Sequence, residues 1–346
     1  MQTGNREPGL DLVRVFASLS VVAVHFYLNC YYYETPLAGT KMMAMTFGRW
    51  FFMICVPLFM MLTGYLQCNR TFGAAHYLSL IPVLVVYVIV ATVKVIVSNI
   101  YYGAGYYSFV SALEEIATYR IAWYVGMYVA LMLLVPFLNK LWEALDERMR
   151  KALIAMLAVI GCLYPLVGYV VPSYWQILYP FVYYYLGAYI RTYRPKVRKG
   201  LAVLTVLLVT LIEAAVSFYA AHGGAFNWSV LCEVDSGYSS LTVVIAATAF
   251  FLLFYDVPVG SVFLRTVLAK ISSVSLAVYL FTGVYDVVIY SYLKQTLTQA
   301  PDFFWLFFVT VPLNLICSVL SGLLLQFLLT PLTRAVSKLR TNNGSK

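Results

Sequence analysis

Long apolar stretches recur along the chain, and short polar segments separate them. A helix that crosses a bilayer needs about 20 consecutive, mostly apolar residues, and about ten stretches come close to that length. They cover residues 10–30, 50–67, 77–98, 121–138, 152–171, 174–190, 201–221, 239–255, 271–291 and 303–329. The pattern predicts an all-α fold, a polytopic integral membrane bundle of about ten transmembrane helices. The connecting segments are too short for a soluble domain of ordinary size.

The composition agrees with a location in a membrane. Of the 346 residues, 62% are hydrophobic and 11% are charged, whereas a soluble domain is roughly 25% charged. With a cytoplasmic N-terminus and ten spans, most of the 23 lysine and arginine residues fall in cytoplasmic segments. This imbalance follows the positive-inside rule and predicts that both termini are cytoplasmic. The net charge of +9 is then a topology signal. Attraction to anionic membrane lipid is a secondary effect, and no nucleic acid partner is implied.

The cysteine and histidine patterns argue against a metal site. The six cysteines are scattered without a C-x-x-C motif, which is typical of small apolar residues rather than of a disulfide or metal framework. The three histidines have no paired spacing. The sequence therefore predicts that no metal ion is bound.

The first apolar stretch contains "DLVRVFASLSVVAVHF", residues 11–26, with three ionisable side chains. An arginine near the bilayer centre costs about 2.5 to 3.5 kcal/mol on insertion scales, so an intramembrane ionisable residue is a functional hypothesis by default. Arg14 and His25 are eleven residues apart, which places them on one helix face and roughly 16 Å apart along the axis. Asp11 and Ser18 lie within about 60° of that face. The segment predicts a polar stripe through most of the bilayer.

This polar stripe has a structural and a functional interpretation. In the structural one, the Arg14 guanidinium reaches the interface, Asp11 pairs with it, and His25 hydrogen-bonds a neighbouring helix. We favour that role for Asp11. The shared face of Arg14 and His25, with Ser18 between them, instead favours a lined cavity. The planar fork of an arginine binds phosphate with two donors, and a histidine titrates near neutral pH, which suits a general base.

Arginine, ten residues and then histidine in a first span resembles the signature of membrane acyltransferase family 3. These are bacterial transferases that O-acetylate surface polysaccharides, peptidoglycan and related glycans. Four further stretches resemble family blocks in the same order, and the likeness covers the first nine spans. They are "RWFFMICVPLFMMLTGYLQ", "AWYVGMYVALMLLVPFLN", "YPFVYYYLGAYI" and "ISSVSLAVYLFTGVYDVVI".

The resemblance implies one transmembrane acyltransferase domain over residues 1–346, in the bacterial cytoplasmic membrane. It implies transfer of an acyl group, by family default acetyl, from cytoplasmic acetyl-CoA to a hydroxyl of a cell-surface or lipid-linked glycan. Acetyl-CoA is a co-substrate, and no permanently bound cofactor is expected. Arg14 and Arg70 are the candidates for binding the donor phosphates. His25 is the candidate catalytic residue, either as general base or as a nucleophile that carries the acyl group.

The remaining candidates would line the substrate cavity: Arg49, expected at the outer end of the second span, with Trp123, Tyr124 and Asp286. Two positions depart from the family pattern. Thr282 stands where many members have a histidine, so no role for that histidine carries over. Gly73 follows Arg70 where some members have a second arginine, which leaves Arg70 alone. We expect no fused extracytoplasmic domain, because only a short tail follows the last stretch.

The alternative function is a proton-coupled transporter that exports a lipid-linked sugar or a small solute. Glu213, Asp286 and Lys94 lie in apolar stretches and would supply a proton relay. The sequence lacks paired broken helices in matching halves, which are the best pointer to inverted-repeat transporters. The transferase is therefore the favoured interpretation.

The topology can be tested by labelling single cysteines in a cysteine-free background. We expect residues 191–200 to be cytoplasmic, because they hold five cations, and residues 222–238 to be outside, because they hold none. A cysteine at Asn227 should react with an impermeant reagent in intact cells, and one at Lys196 only after permeabilisation. Labelling of position 227 that also requires permeabilisation would contradict the ten-span arrangement.

Overall fold

The computed structural model describes residues 7–164, 170–229 and 237–344, and within these segments every regular element is helical. The first eight α-helices are α1 (Pro8–Asn29), α2 (Gly39–Phe52), α3 (Cys55–Gln67), α4 (Ala74–Tyr77), α5 (Ile81–Tyr102), α6 (Phe109–Ala117), α7 (Trp123–Ala144) and α8 (Glu147–Cys162). The next eight are α9 (Tyr179–Tyr193), α10 (Lys199–Ala221), α11 (Leu241–Phe254), α12 (Val262–Ser273), α13 (Ser275–Leu293), α14 (Ala300–Phe303), α15 (Phe307–Leu328) and α16 (Thr330–Gly344).

By length and composition, seven helical segments of the described chain are suited to cross a membrane. They are Pro8–Asn29, Gly39–Gln67, Ala74–Tyr102, Arg120–Ala144, Lys199–Ala221, Ser275–Leu293 and Ala300–Leu328. Each overlaps one of the predicted apolar stretches. The all-helical, multi-pass character predicted from the sequence is therefore confirmed.

The other three predicted stretches coincide with shorter helices, namely α8, α9 and α11. The count of ten and the cytoplasmic position of both termini stay predictions. Part of the predicted fifth span, residues 165–169, lies outside the described residues. The same holds for residues 230–236 of the predicted outer loop.

Two of the predicted boundaries are wrong. The second membrane segment begins at Gly39 rather than at residue 50, and its regular α-helix is interrupted at Met53 and Ile54, between α2 and α3. Its early polar residue Thr46 fits inside an apolar helix, because the hydroxyl donates to the Met42 carbonyl at 2.8 Å. The predicted span 271–291 is in fact divided at Val274, whose backbone is not helical (φ −112°, ψ 13°).

The chain divides into two compact units. The first unit comprises Met1–Cys68, Leu145–Ser273 and Thr298–Phe307; the second comprises Asn69–Ala144, Val274–Leu297 and Phe308–Lys346. The prediction of a single transmembrane domain over residues 1–346 stays a prediction.

In the first unit, α3 and α9 form the most extensive helix pair. Two glycines allow their backbones to touch. A Cβ added to Gly64 would lie 1.9 Å from the Tyr184 carbonyl oxygen, and one added to Gly187 would lie 2.0 Å from that of Met61. Helices in membranes associate through such small residues, because lipid offers no hydrophobic driving force between them.

Helix α1 lies in the interior of the first unit and packs against α2, α3, α11 and α12. Its beginning meets the end of α11 so closely that a Cβ on Gly9 would lie 2.3 Å from the Phe254 carbonyl oxygen. Further along, the rings of Phe16 and Phe250 stack with their centroids 4.2 Å apart. These contacts hold the polar face of α1 in one orientation within the unit.

In the second unit, α5 packs against α13. Their contact is part of an apolar core of eight buried residues: Tyr87, Val90, Ala91, Ala122, Val125, Leu280, Val284 and Leu325. This core fixes α5 and α13, and the polar residues that they carry, relative to one another.

The α3–α9 contact makes a stability prediction. Gly187→Ala should lower the free energy of unfolding by at least about 1 to 3 kcal/mol, because the methyl group meets backbone that cannot rotate away. Gly200→Ala is the control, because nothing lies within 4 Å of its added Cβ, and it should change stability by less than about 0.5 kcal/mol. Thermal unfolding in detergent measures both. Equal stabilities of the two variants would contradict the close packing.

Candidate functional site

The polar face of α1 begins with a guanidinium group held by two partners in the first unit. Arg14 Nη1 donates a hydrogen bond to Ser272 Oγ of α12 at 2.8 Å and lies 3.8 Å from Asp11 Oδ1. Asp11 is buried, whereas the Arg14 side chain is 23% exposed. A positive charge that is fixed on one side and accessible on the other is suited to bind an anionic ligand.

Sequence reasoning did not find Ser272, although a signal for it exists. Ser272 is the first serine in the "ISSVSLAVYL" block that resembles the family pattern. Assigning residues 271–291 to one span attached this serine to the following helix. The structure instead places it at the end of α12, next to Arg14 in the first unit.

Two further polar side chains of α1 bond to the helix itself. Ser18 is buried, and its hydroxyl donates to the Arg14 carbonyl at 3.0 Å. Asn29 Nδ2 donates to the His25 carbonyl at 2.8 Å. These bonds satisfy polar groups inside an apolar environment, so Ser18 contributes a hydroxyl oxygen to the stripe rather than a donor.

His25 is half-buried near the end of α1. Because α1 is continuous from Pro8 to Asn29, the eleven-residue spacing sets His25 on the face of Arg14, roughly 16 Å further along the axis. One helix face therefore carries an arginine, which is suited to bind phosphate, and a histidine, which is suited to accept a proton. Their roles stay predictions.

The two other histidines have different surroundings. His76 is buried in the second unit, and its Nε2 lies 2.7 Å from the Met132 carbonyl oxygen. Pro136 lies four residues after Met132 in α7 and has no N–H, so that carbonyl lacks its usual helical donor. His76 replaces the donor. His222 is exposed at the end of α10, with a left-handed backbone (φ 47°).

Arg49 lies within the Gly39–Gln67 segment, ten residues after its start, and is fully buried. Its predicted position on the outer side stays a prediction. Its Nε donates to the Tyr33 hydroxyl at 3.3 Å. Its guanidinium carbon lies 4.0 Å from the Trp50 ring centroid and 4.8 Å from that of Phe226. Stacking on aromatic faces stabilises a desolvated cation. Arg49 shares the first unit with Arg14 and His25.

Three of the other predicted residues belong to the second unit. Arg70 is exposed, and its backbone carbonyl accepts a hydrogen bond from Asn139 Nδ2 at 2.7 Å. Trp123 is 45% exposed, whereas Tyr124 is buried and its backbone N–H donates to the Tyr279 hydroxyl at 3.4 Å. Their roles in a substrate cavity or in donor binding stay predictions.

Asp286 also lies in the second unit, within a buried polar cluster that the sequence did not reveal. Asn314 Nδ2 donates to Asp286 Oδ1 at 2.9 Å and to the Thr282 carbonyl at 3.3 Å. Ser318 Oγ donates to Asn314 Oδ1 at 2.9 Å. The Thr282 hydroxyl donates to the Val278 carbonyl at 2.8 Å. Thr282 is thus fully buried, with its hydroxyl bonded within its own helix.

A family model described as an acyltransferase domain matches residues 7–323. The chain belongs to the acyltransferase 3 family. The match spans all predicted site residues, from Asp11 to Asp286, and confirms the resemblance that the five sequence blocks indicate. Neither the curated proteins nor the solved structures compared with the chain contain a match.

Membership in the acyltransferase 3 family makes this chain a membrane acyltransferase. Within the described residues, no group of three or more His, Cys, Asp and Glu side chains is arranged to hold a metal ion. That the enzyme works without a metal ion stays a prediction.

The hydrogen bond between His76 and the Met132 carbonyl of α7 leads to a second prediction about stability. His76→Ala should lower the free energy of unfolding by about 1 to 3 kcal/mol, because it leaves the buried Met132 carbonyl without a donor. His76→Gln should recover part of this loss, since its side-chain amide also donates. Unfolding of detergent-solubilised protein measures both. The exposed His222→Asn should change stability by less than about 0.5 kcal/mol, and a loss as large as that of His76→Ala would contradict a specific role for His76.

Proposed function

We propose that this acyltransferase moves an acetyl group from cytoplasmic acetyl-CoA to a hydroxyl of a cell-surface or lipid-linked glycan, in the cytoplasmic membrane of a bacterium. The arrangement on α1 carries the proposal. Arg14, anchored by Ser272 and partly exposed, precedes half-buried His25 on the same face of one continuous helix.

The donor approaches from the cytoplasm, and Arg14 binds a phosphate of its coenzyme A moiety. Helix α12, whose Ser272 holds Arg14, supports this assignment with cations on an open surface patch. Arg265 and Lys270 lie on this patch, and their positive charge attracts a phosphate-bearing ligand. Arg70, exposed in the second unit, is a further donor-binding candidate.

The pantetheine arm carries the thioester along α1 towards His25. In the general-base route, a ring nitrogen of His25 takes the proton of the acceptor hydroxyl while the hydroxyl oxygen attacks the thioester carbonyl carbon. The carbon–sulfur bond then breaks, and the departing thiolate takes the proton from the imidazolium. In the nucleophilic route, His25 first takes the acyl group on nitrogen and then passes it to the hydroxyl. Both routes yield an ester and free coenzyme A.

The acceptor arrives from the outer side, where aromatic rings of the first unit supply a suitable surface. Tyr33 stacks on Trp228 with ring centroids 4.5 Å apart, and Phe226 lies at 5.2 Å from Trp228. Trp228 is 37% exposed. Such rings stack on the apolar faces of sugars, and Arg49 next to Tyr33 supplies a cation at the base of this surface.

The transporter interpretation draws support from Lys94 and Asp286 in the second unit, since intramembrane ionisable residues are costly. Glu213, the third member of that relay, belongs to the first unit. Its Oε1 accepts a hydrogen bond from Thr242 at 2.6 Å. Membership in a transferase family favours the enzyme. Release of free coenzyme A from labelled acetyl-CoA by the purified protein separates the two functions, because a transporter consumes no donor.

The division of labour on α1 is the main test of the proposal. Arg14→Ala removes charge-assisted hydrogen bonds worth roughly 1.5 to 3 kcal/mol, so donor affinity should fall about 10- to 150-fold. Arg14→Lys should recover only part of the lost donor affinity, because a lysine ammonium cannot reproduce the two parallel hydrogen bonds of a guanidinium. His25→Gln should bind acetyl-CoA normally and turn over at least about 100-fold more slowly.

Calorimetric binding of acetyl-CoA and turnover should be measured on the same nanodisc preparations. His222→Asn, exposed in the predicted outer loop, serves as a control that should retain both properties. Normal donor affinity in Arg14→Ala would reduce Arg14 to an interfacial anchor. Normal turnover in His25→Gln would remove His25 from the chemistry.

A further inference from the structure

Two arginines at the end of α9 converge on one carboxylate. Arg191 Nη1 lies 3.5 Å from Glu7 Oε1, and Arg194 Nη2 donates a hydrogen bond to the same oxygen. The Tyr65 hydroxyl donates to the other oxygen, Oε2, at 2.8 Å. Three donors from α3 and α9 thus surround an anionic group at the residue that precedes α1.

The donors are held before any ligand arrives. The guanidinium carbons of Arg191 and Arg194 lie 5.1 and 5.9 Å from the Tyr65 ring centroid. Arg194 has a left-handed backbone (φ 47°), which is uncommon for a residue other than glycine. The next carbonyl, that of Pro195, accepts a hydrogen bond from the Tyr255 hydroxyl at 2.9 Å. The loop therefore maintains a conformation in which both guanidinium groups face one point.

One carboxylate does not balance the charge at this point. Glu7 carries a single negative charge, whereas the adjoining loop adds three more cations to the two arginines: Lys196, Arg198 and Lys199. The side chains of Arg191 and Arg194 are 40% and 49% exposed, so a ligand can reach them. The hydrogen bond to Glu7 raises the pKa of Arg194 above its ordinary value.

We propose that Arg191, Arg194 and Tyr65 form a phosphate-binding site for which the Glu7 carboxylate is a built-in competitor. A phosphate group offers more charge and more acceptor oxygens than a carboxylate, and arginine pairs bind it through parallel hydrogen bonds. When phosphate binds, Glu7 moves aside into solvent, since its side chain is already 27% exposed.

The position of Glu7 relative to Arg14 suggests one source of the phosphate. Glu7 is the N-cap of α1 and precedes Arg14 by seven residues, which corresponds to roughly 10 Å along the helix axis. Coenzyme A carries a 3′-phosphate on its ribose, apart from its pyrophosphate. With the pyrophosphate at Arg14, the 3′-phosphate would lie towards Glu7. This assignment rests on the proposed function.

The second source is a phospholipid headgroup. The cluster follows an apolar helix directly, and clustered cations at such a position bind anionic lipid. The chemistry of recognition is the same for both sources. An ordinary salt bridge that ties Glu7, at the start of α1, to α9 is the competing explanation, and it predicts no gain in ligand affinity when Glu7 is lost.

The first arm of the test compares coenzyme A with 3′-dephospho-coenzyme A by calorimetry, using nanodiscs of neutral phosphatidylcholine. Glu7→Gln should bind coenzyme A about 2- to 5-fold more tightly, the range expected for removing a partly exposed ion pair. Binding of the dephospho form should not change. The double variant Arg191→Gln, Arg194→Gln should bind coenzyme A about 10-fold more weakly and the dephospho form as before.

Arg148→Gln is the matched control, because it removes one exposed cation of α8, in the same unit, that has no place in the site. It should change coenzyme A affinity less than twofold. Arg194→Gln alone, which leaves Arg191 and Tyr65, gives an independent result if the double variant unfolds. Its affinity for coenzyme A should still fall severalfold, with no change for the dephospho form.

The second arm measures how much phosphatidylglycerol each variant retains from mixed vesicles of phosphatidylglycerol and phosphatidylcholine. If lipid is the source, Glu7→Gln should retain more phosphatidylglycerol and the double variant less. The affinity of both for coenzyme A should then be unchanged. If Glu7→Gln binds coenzyme A and phosphatidylglycerol no better than the native protein does, the proposal is overturned. The contact between Glu7 and the arginines is then an ordinary salt bridge. Neither arm measures acyl transfer, so a protein that binds phosphate here but transfers no acetyl group would refute only the proposed function.

Discussion

The close approach of α3 and α9 at Gly64 and Gly187 is the contact on which the arrangement of groups around Glu7 in the first unit depends. A Cβ added to Gly187 would lie 2.9 Å from the Tyr65 backbone nitrogen, so these two residues are direct neighbours. Arg191 lies one helical turn after Gly187, on the same face. It therefore stacks on the Tyr65 ring and reaches Glu7. Any side chain at position 187 would separate the helices and, with them, the groups around Glu7.

The apolar surroundings of α1 explain how its polar side chains are hydrogen-bonded. In a bilayer each polar group needs a partner within the protein. Ser18 and Asn29 bond to carbonyls of α1. Arg14 instead bonds to Ser272 of another helix and remains partly exposed. The same face thus contains groups that are satisfied locally and a charge that is available to a ligand, and this difference supports a functional role for Arg14.

The same requirement explains the polar residues of the second unit. Pro136 deprives the Met132 carbonyl of its helical donor, and His76 supplies another. Asn314 joins Asp286 to Ser318 in a chain of hydrogen bonds. The proline of α7 and the carboxylate of α13 are each tolerated because a residue distant in sequence satisfies the polar group concerned.

The sequence by itself determined the helical membrane class, the family and the common face of Arg14 and His25, because apolar length, block order and helical period are local properties. It misplaced the start of the second membrane segment, because the residues before position 50 gave no sign of where the helix begins. It also missed Ser272, because a single break at Val274 assigns that serine to α12. Only the tertiary structure decided that Ser272 anchors Arg14 and that Arg191 and Arg194 converge with Tyr65 on Glu7. Those partners are up to 258 residues apart, and packing between helices, which no local pattern encodes, is what brings them together.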